Sequence, residues 1–235
     1  MPRPTSDTDS DSGHQEYVDD MYQRAQKDLK LTPEQLRGYF KFFPNGEDQP
    51  APGLSPSPQP GAPPGTGNRG PDPCSRPKVE RFHYEPLTDG RSQGAMAVLC
   101  PGDLKNGKKD KLDGVPVKGM PSTQDNAIRK GVTHFQKTHI IGDKFGGDPV
   151  SENLFPGYSR MNLSGMKSCE SRIRKQLAAG NPVLYYGKLS RVNPSDDLPS
   201  GIQMTAYTGQ GKLFDKWVAN TSEWQVTCST PRALR

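Results

Sequence analysis

Residues 137–170 read Lys-Thr-His-Ile-Ile-Gly-Asp-Lys-Phe-Gly-Gly-Asp-Pro-Val-Ser-Glu-Asn-Leu-Phe-Pro-Gly-Tyr-Ser-Arg-Met-Asn-Leu-Ser-Gly-Met-Lys-Ser-Cys-Glu. His139 stands at the end of a short alternating apolar run, and Gly142, Gly146, Gly147 and Pro149 then signal a turn. Beyond the turn the chain takes on helical periodicity and carries Asn153, Asn162 and Glu170. Strand, loop and helix in that order bring an imidazole and an amide oxygen from distant positions to one point. An imidazole can take a proton from water, and amide and carboxylate oxygens suit a hard cation such as Mg²⁺. These are the groups that one-metal hydrolysis of a phosphodiester requires.

A lone histidine is more often structural than catalytic, and His83 and His134 read that way. His134 lies five residues before His139, so a regular strand would turn it to the opposite face. His139 is set apart by the Gly-Gly turn and the two asparagines that follow. The helix is expected from about Tyr158 or Ser164 to Ala179, with Gly180 just past its end and Pro182 beyond. Met166, Cys169, Ile173 and Leu177 form its apolar stripe. Asn162 and Glu170 are eight residues apart, a little over two turns, so they share a face if the helix already includes Asn162.

Upstream, Glu80 to Tyr84 and Ala95 to Leu99 read as strands, and Pro101 to Lys118 reads most simply as a solvated, Lys-rich loop. Asn126 to Val132 suggests a helical turn, and Val132 to Ile141 the strand that ends at His139. Downstream, strands are expected at Val183 to Leu189, Ile202 to Tyr207 and within Leu213 to Trp224. Residues 1–13 are Ser/Asp-rich and read as disordered. Residues 14–43 carry two apolar stripes at helical spacing, a helical leader that ends in Tyr39, Phe40 and Phe43. Residues 44–78 hold 11 prolines and 6 glycines, which marks a linker. The folded domain is then 79–235.

The chain has 235 residues with a net charge of +5, unevenly spread. Residues 1–78 hold 9 basic and 11 acidic side chains; residues 79–235 hold 22 and 15, so the second part is +7 and the first −2. A basic module suits a polyanion, because phosphate contacts supply sequence-independent affinity. Cys74, Cys100, Cys169 and Cys228 are far apart, which argues against a zinc site and leaves three disulfide connectivities or none. Cys169, on the apolar stripe, reads as a free buried thiol. No stretch has the apolar length of a membrane span. The N-terminus lacks the apolar core of a signal peptide, so the expected location is the producer's cytoplasm or export by a specialised delivery system.

His139-Ile-Ile-Gly, Gly146-Gly147, Asn153-Leu-Phe-Pro, Met161-Asn162 and the helix bearing Glu170 together resemble the DNA/RNA non-specific endonucleases. That family belongs to the ββα-metal (His-Me finger) superfamily and often supplies toxin domains. Gly90-Arg91-Ser92-Gln93-Gly94-Ala95 is similar to a strand-opening segment of those toxins, and the resemblance covers roughly residues 80–220. It implies an α+β fold, a ββα-metal nuclease core on a mainly antiparallel sheet. It also implies His139 as general base, Asn162 as metal ligand, Asn153 as an orienting or phosphate-side amide, and Glu170 as a helper that holds water. The metal would be Mg²⁺ or another divalent cation such as Mn²⁺. Lys137, Lys144, Arg160 and Arg91 are the candidates for contact with DNA, with RNA as a further substrate. One departure stands out: the family usually has Asp-Arg-Gly before its histidine, and here the triplet is Gln136-Lys137-Thr138. By the same resemblance, an acidic immunity protein is the expected partner, with delivery machinery recognising residues 14–43. The competing readings are a nucleic-acid-binding protein with a silenced site and an adaptor working through the leader.

Overall fold

The computed structural model describes residues 72–107 and 111–228. The leader at 14–43 and the linker as far as residue 71 lie outside the described residues. The rest of the linker does not behave as a spacer. Pro73 is buried, Cys74 is bonded to Cys100, and Lys78 pairs with Asp148, so packing begins several residues before 79.

Helix α1 (Lys78–Arg81) leads into β1 (Phe82–Tyr84), a shorter strand than expected because the first residues of the run are helical. Strand β2 (Gly94–Leu99) follows. Next come α2 (Thr123–Ala127), β3 (Phe135–His139) and β4 (Leu154–Tyr158). A π-helical turn (Met161–Met166) runs directly into α3 (Lys167–Ala178). Strands β5 (Val183–Ser190), β6 (Gly201–Thr208) and β7 (Gly211–Ala219) complete the described elements. The strands form a five-stranded sheet in the order β1-β2-β5-β6-β7 and a two-stranded β3-β4 hairpin, all antiparallel. This is the expected α+β architecture: a hairpin and a following helix set on an antiparallel sheet.

Every residue of β2 is buried, as expected of a central strand with both faces covered. Cys169, Ile173 and Leu177 recur every four residues and face the sheet from α3, joined in one core by Ile140, Ile141, Phe155, Met161 and Met166. The helix ends as its sequence suggests. Gly180 adopts φ +85°, its N–H bonds Leu177 O at 3.0 Å, and Asn181 N–H bonds Gln176 O at 3.0 Å.

One expectation is overturned here. Cys169 is not a free thiol: it is bonded to Cys228, and all four cysteines pair as 74–100 and 169–228. The segment after β7 therefore lies along the helix, where Ser164 Oγ accepts from Gln225 N–H and Ser168 Oγ from Cys228 N–H. Periodicity along one helix could not reveal a partner nearly sixty residues away. The helix start also differs from a plain α-helix. Ser164 Oγ donates to Arg160 O at 2.7 Å, and Gly165 packs so closely on Val218 that an added Cβ would sit 2.5 Å from its Cγ1. Such back-bonding from a serine loosens the regular ladder, and π turns of this kind occur frequently at functional sites.

Candidate active site

His139 closes β3, paired with Leu154 of β4. The chain just beyond it is fixed by Asn153, whose side chain is wholly buried. Ile140 N–H donates to Asn153 O at 2.8 Å and Ile141 N–H to Asn153 Oδ1 at 2.8 Å. Asn153 Nδ2 returns bonds to Ile141 O at 3.1 Å and Asp148 O at 2.9 Å. Asn153 is thus an orienting amide that holds the loop from behind; its polar atoms are committed to backbone, and it does not line the cavity described below. Tyr84 adds a second pin, donating to Asp148 Oδ2 and accepting from Asp148 N–H. Burial, with the neighbouring Asp148 charge, pushes the Tyr84 hydroxyl well above its ordinary range.

The two glycines of the turn have different reasons. Gly146 takes φ +85°, open to glycine without strain. Gly147 lies against the chain after His139, and a Cβ there would sit 1.8 Å from Ile141 O. The turn also approaches α3 closely: a Cβ on Gly142 would lie 3.1 Å from Glu170 Oε1. Glu170 therefore reaches the loop that begins immediately after the histidine.

Asn162 sits in the π turn, half-buried, and its Nδ2 donates to Gln136 Oε1 at 2.8 Å. That bond turns the amide so that Oδ1 is the atom left to accept from or ligate a guest. His139, Asn162 and Glu170 line one cavity of about 540 Å³. Lys137, Lys144 and Lys167 border the same cavity, as do the carboxylates of Asp113 and Asp143, so its rim carries both charges. Among the described residues no cluster of three or more His, Cys, Asp or Glu could hold a metal ion. The oxygen donors of Asn162 and Glu170, completed by water, nevertheless fit a hard divalent cation, which keeps much of its hydration and needs few protein ligands.

The other sequence-derived candidates divide. Lys144 is exposed at the cavity, but Lys137 is largely occupied, donating to Leu112 O at 2.8 Å and Val115 O at 2.6 Å. Arg91 is elsewhere and only 6% exposed, held by Asp89, Asp197 and Ser195 O, so it braces loops and offers nothing to a phosphate. Arg160 also misses the cavity: its guanidinium lies over the exposed ring of Trp224, 5.2 Å from the centroid. Two helix positions separate it from Asn162, about 160–200° around the axis, so the pair points in nearly opposite directions.

Three contributors were missed. Lys167, grouped in the sequence with solvated basic residues, lines the cavity because it is one turn from Asn162 and Leu163. Gln136 orients the Asn162 amide, and only its position in the departing triplet hinted at a role. His134 shares the cavity with His139, contrary to the strand argument, because it belongs to the turn that precedes β3 and escapes the strand's alternation. The Lys-rich excursion is likewise more than a solvated loop, since Leu112 and Asp113 form part of the wall.

A family model for DNA/RNA non-specific endonucleases matches residues 80–210. Among solved structures, NucA from Streptococcus agalactiae with a magnesium ion bound is 17% identical at a TM-score of 0.49, over 60% of this chain and 70% of that one. Sda1 nuclease with a bound zinc ion is 18% identical at a TM-score of 0.49, over 60% of this chain and 74% of that one. No curated protein sequence matches the chain significantly. With over half of its length matched, and with a hairpin, turn and helix converging on one cavity, the chain belongs to the DNA/RNA non-specific endonuclease family.

Proposed function

We propose that this nuclease is a metal-dependent endonuclease that hydrolyses phosphodiesters of DNA, and of RNA, with weak sequence preference. The observation that carries the reading is the convergence of His139, Asn162 and Glu170 on one cavity. His139 takes a proton from the attacking water as general base. Asn162, whose Nδ2 is held by Gln136, would offer Oδ1 to the cation, and Glu170 on the same cavity wall would accept hydrogen bonds from water. A divalent ion bound there, Mg²⁺ or Mn²⁺, supplies a Lewis acid for the scissile phosphate. Lys144 and Lys167 attract the backbone, a contact that carries no sequence information. An acidic immunity protein covering this mouth is the inhibitor that a toxin role requires.

Plasmid DNA with Mg²⁺ tests the reading. Wild-type protein cleaves, a chelator stops it, and His139→Ala lowers the rate by about 10²–10⁴-fold, the usual worth of a positioned acid–base group. Asn162→Ala shifts the Mg²⁺ requirement upward. Cleavage indifferent to chelator, or undiminished in His139→Ala, rejects the mechanism. One observation favours the rival reading, a silenced binding protein: the Lys137 ammonium is occupied by Leu112 and Val115 carbonyls. Retarded but uncut plasmid is its signature.

A further inference from the structure

Beside the cavity that holds His139 lies a second recess of about 650 Å³, open to solvent, and the two share Asp113, His134 and Lys137. Half-buried Val115, Val117, Met120 and Pro121 give it apolar walls. Its walls are braced. Asn126 Oδ1 accepts from Phe135 N–H at 3.0 Å, and Asn126 Nδ2 donates to Phe135 O at 2.9 Å while lying 3.4 Å from His134 Nε2. Lys137 Nζ holds Leu112 O and Val115 O, which fixes the partition between the two hollows. A preformed concavity with apolar walls and a few polar groups has the general character of a small-molecule site.

Continuity names the occupant. A strand whose phosphate reaches His139 must carry its neighbouring nucleotides past the shared wall. A nucleobase offers apolar faces to Val117 and Met120 and a hydrogen-bonding edge to His134. In a duplex that base is stacked and paired, so only an unpaired one can enter. We propose that this recess receives one unpaired nucleobase of the substrate strand, making single-stranded or locally opened polynucleotide the preferred substrate. The inference takes its strand from the nuclease reading, but base capture can be read without cleavage.

The test uses full-length protein, chelator, and single strands of about four nucleotides, near the shortest site sizes of single-strand binders, each with one 2-aminopurine at a successive position. No aromatic ring of Phe, Tyr or Trp lines the recess among the described residues, so a captured probe leaves its stacked neighbours and brightens. Emission rises on binding to wild type, and Val117→Trp and Met120→Trp each abolish the rise. Val192→Trp, on an exposed loop position away from both cavities, retains it. With Mg²⁺, wild type cuts a single strand about tenfold faster or more than the matched duplex, because extracting a paired base costs a few kcal/mol. Absent binding, binding without brightening at any position, or equal cleavage of the two forms overturns the proposal. Plasmid cleavage without brightening loses the recess alone; brightening without any cleavage keeps the recess and loses the nuclease.

Discussion

Gln136, Lys137 and Thr138 stand where the family usually has Asp-Arg-Gly, and each is accommodated by a particular neighbour. Thr138 is buried and fills space left by Gly157, where a Cβ would meet its Oγ1 at 2.5 Å. Lys137 spends its ammonium on two carbonyls of the 112–115 segment. Gln136 takes up the Asn162 amide. Removing that partner frees the amide to rotate without touching any ligand. Gln136→Ala should therefore weaken Mg²⁺ activation by about 10-fold or more, the usual effect of losing a supporting hydrogen bond behind a metal ligand. Gln136→Glu should restore most of it, since a carboxylate still accepts from Asn162 Nδ2. A Mg²⁺ titration of cleavage rate checks this, and equal half-saturating concentrations in all three proteins would refute it.

Among the elements, the turn from Gly142 to Asn153 and the π turn that bears Asn162 do different work, and stability measurements separate them. Asn153→Ala strands buried backbone groups of Ile141 and Asp148, at a cost of about 3 kcal/mol in denaturant unfolding. Asn162→Ala removes one half-buried bond and should leave the unfolding midpoint nearly unchanged while cation dependence shifts. Equal destabilisation by both would remove the distinction between scaffold and site. The sequence already carried much of this. The glycine pair, the α3 stripe and the Gly180 ending were legible because turn chemistry and helical spacing act locally. What stayed hidden depended on partners far along the chain: Asn153 against Ile141, Arg91 against Asp197, Cys169 against Cys228. The π geometry was invisible as well, because it arises where Gly165 meets Val218 of β7.

For the molecule as a whole, alkaline pH probes the sheet. Tyr207 is buried in β6, and its hydroxyl is pushed up to about 12, first by burial and then by the Asp215 charge. The folded chain thus holds that proton more tightly than the unfolded chain, whose tyrosine has its ordinary value of 10.0. The group's contribution is complete below pH 10.0 and is lost as pH rises through about 12. Among the described residues the hydroxyl also has no hydrogen-bond partner, so Tyr207→Phe should stabilise the fold by about 1 kcal/mol at neutral pH. It should also flatten the fall in melting temperature above pH 10.0. A variant as alkali-sensitive as wild type would contradict this.

The bond between Cys169 and Cys228 closes a loop of 59 residues and adjoins Glu170 directly. Cutting it with a thiol reductant, or by Cys228→Ser, should cost about 4 kcal/mol in a chain-entropy account, and should depress cleavage more than loss of the 74–100 bond does. Equal activity before and after reduction would show that the helix keeps its seat unaided. If it does not, the molecule carries a safety catch. Fresh chains among abundant glutathione would be poor cutters, and arrival in oxidising surroundings would arm them, so potency would be set by where the protein ends up as much as by how much of it is made.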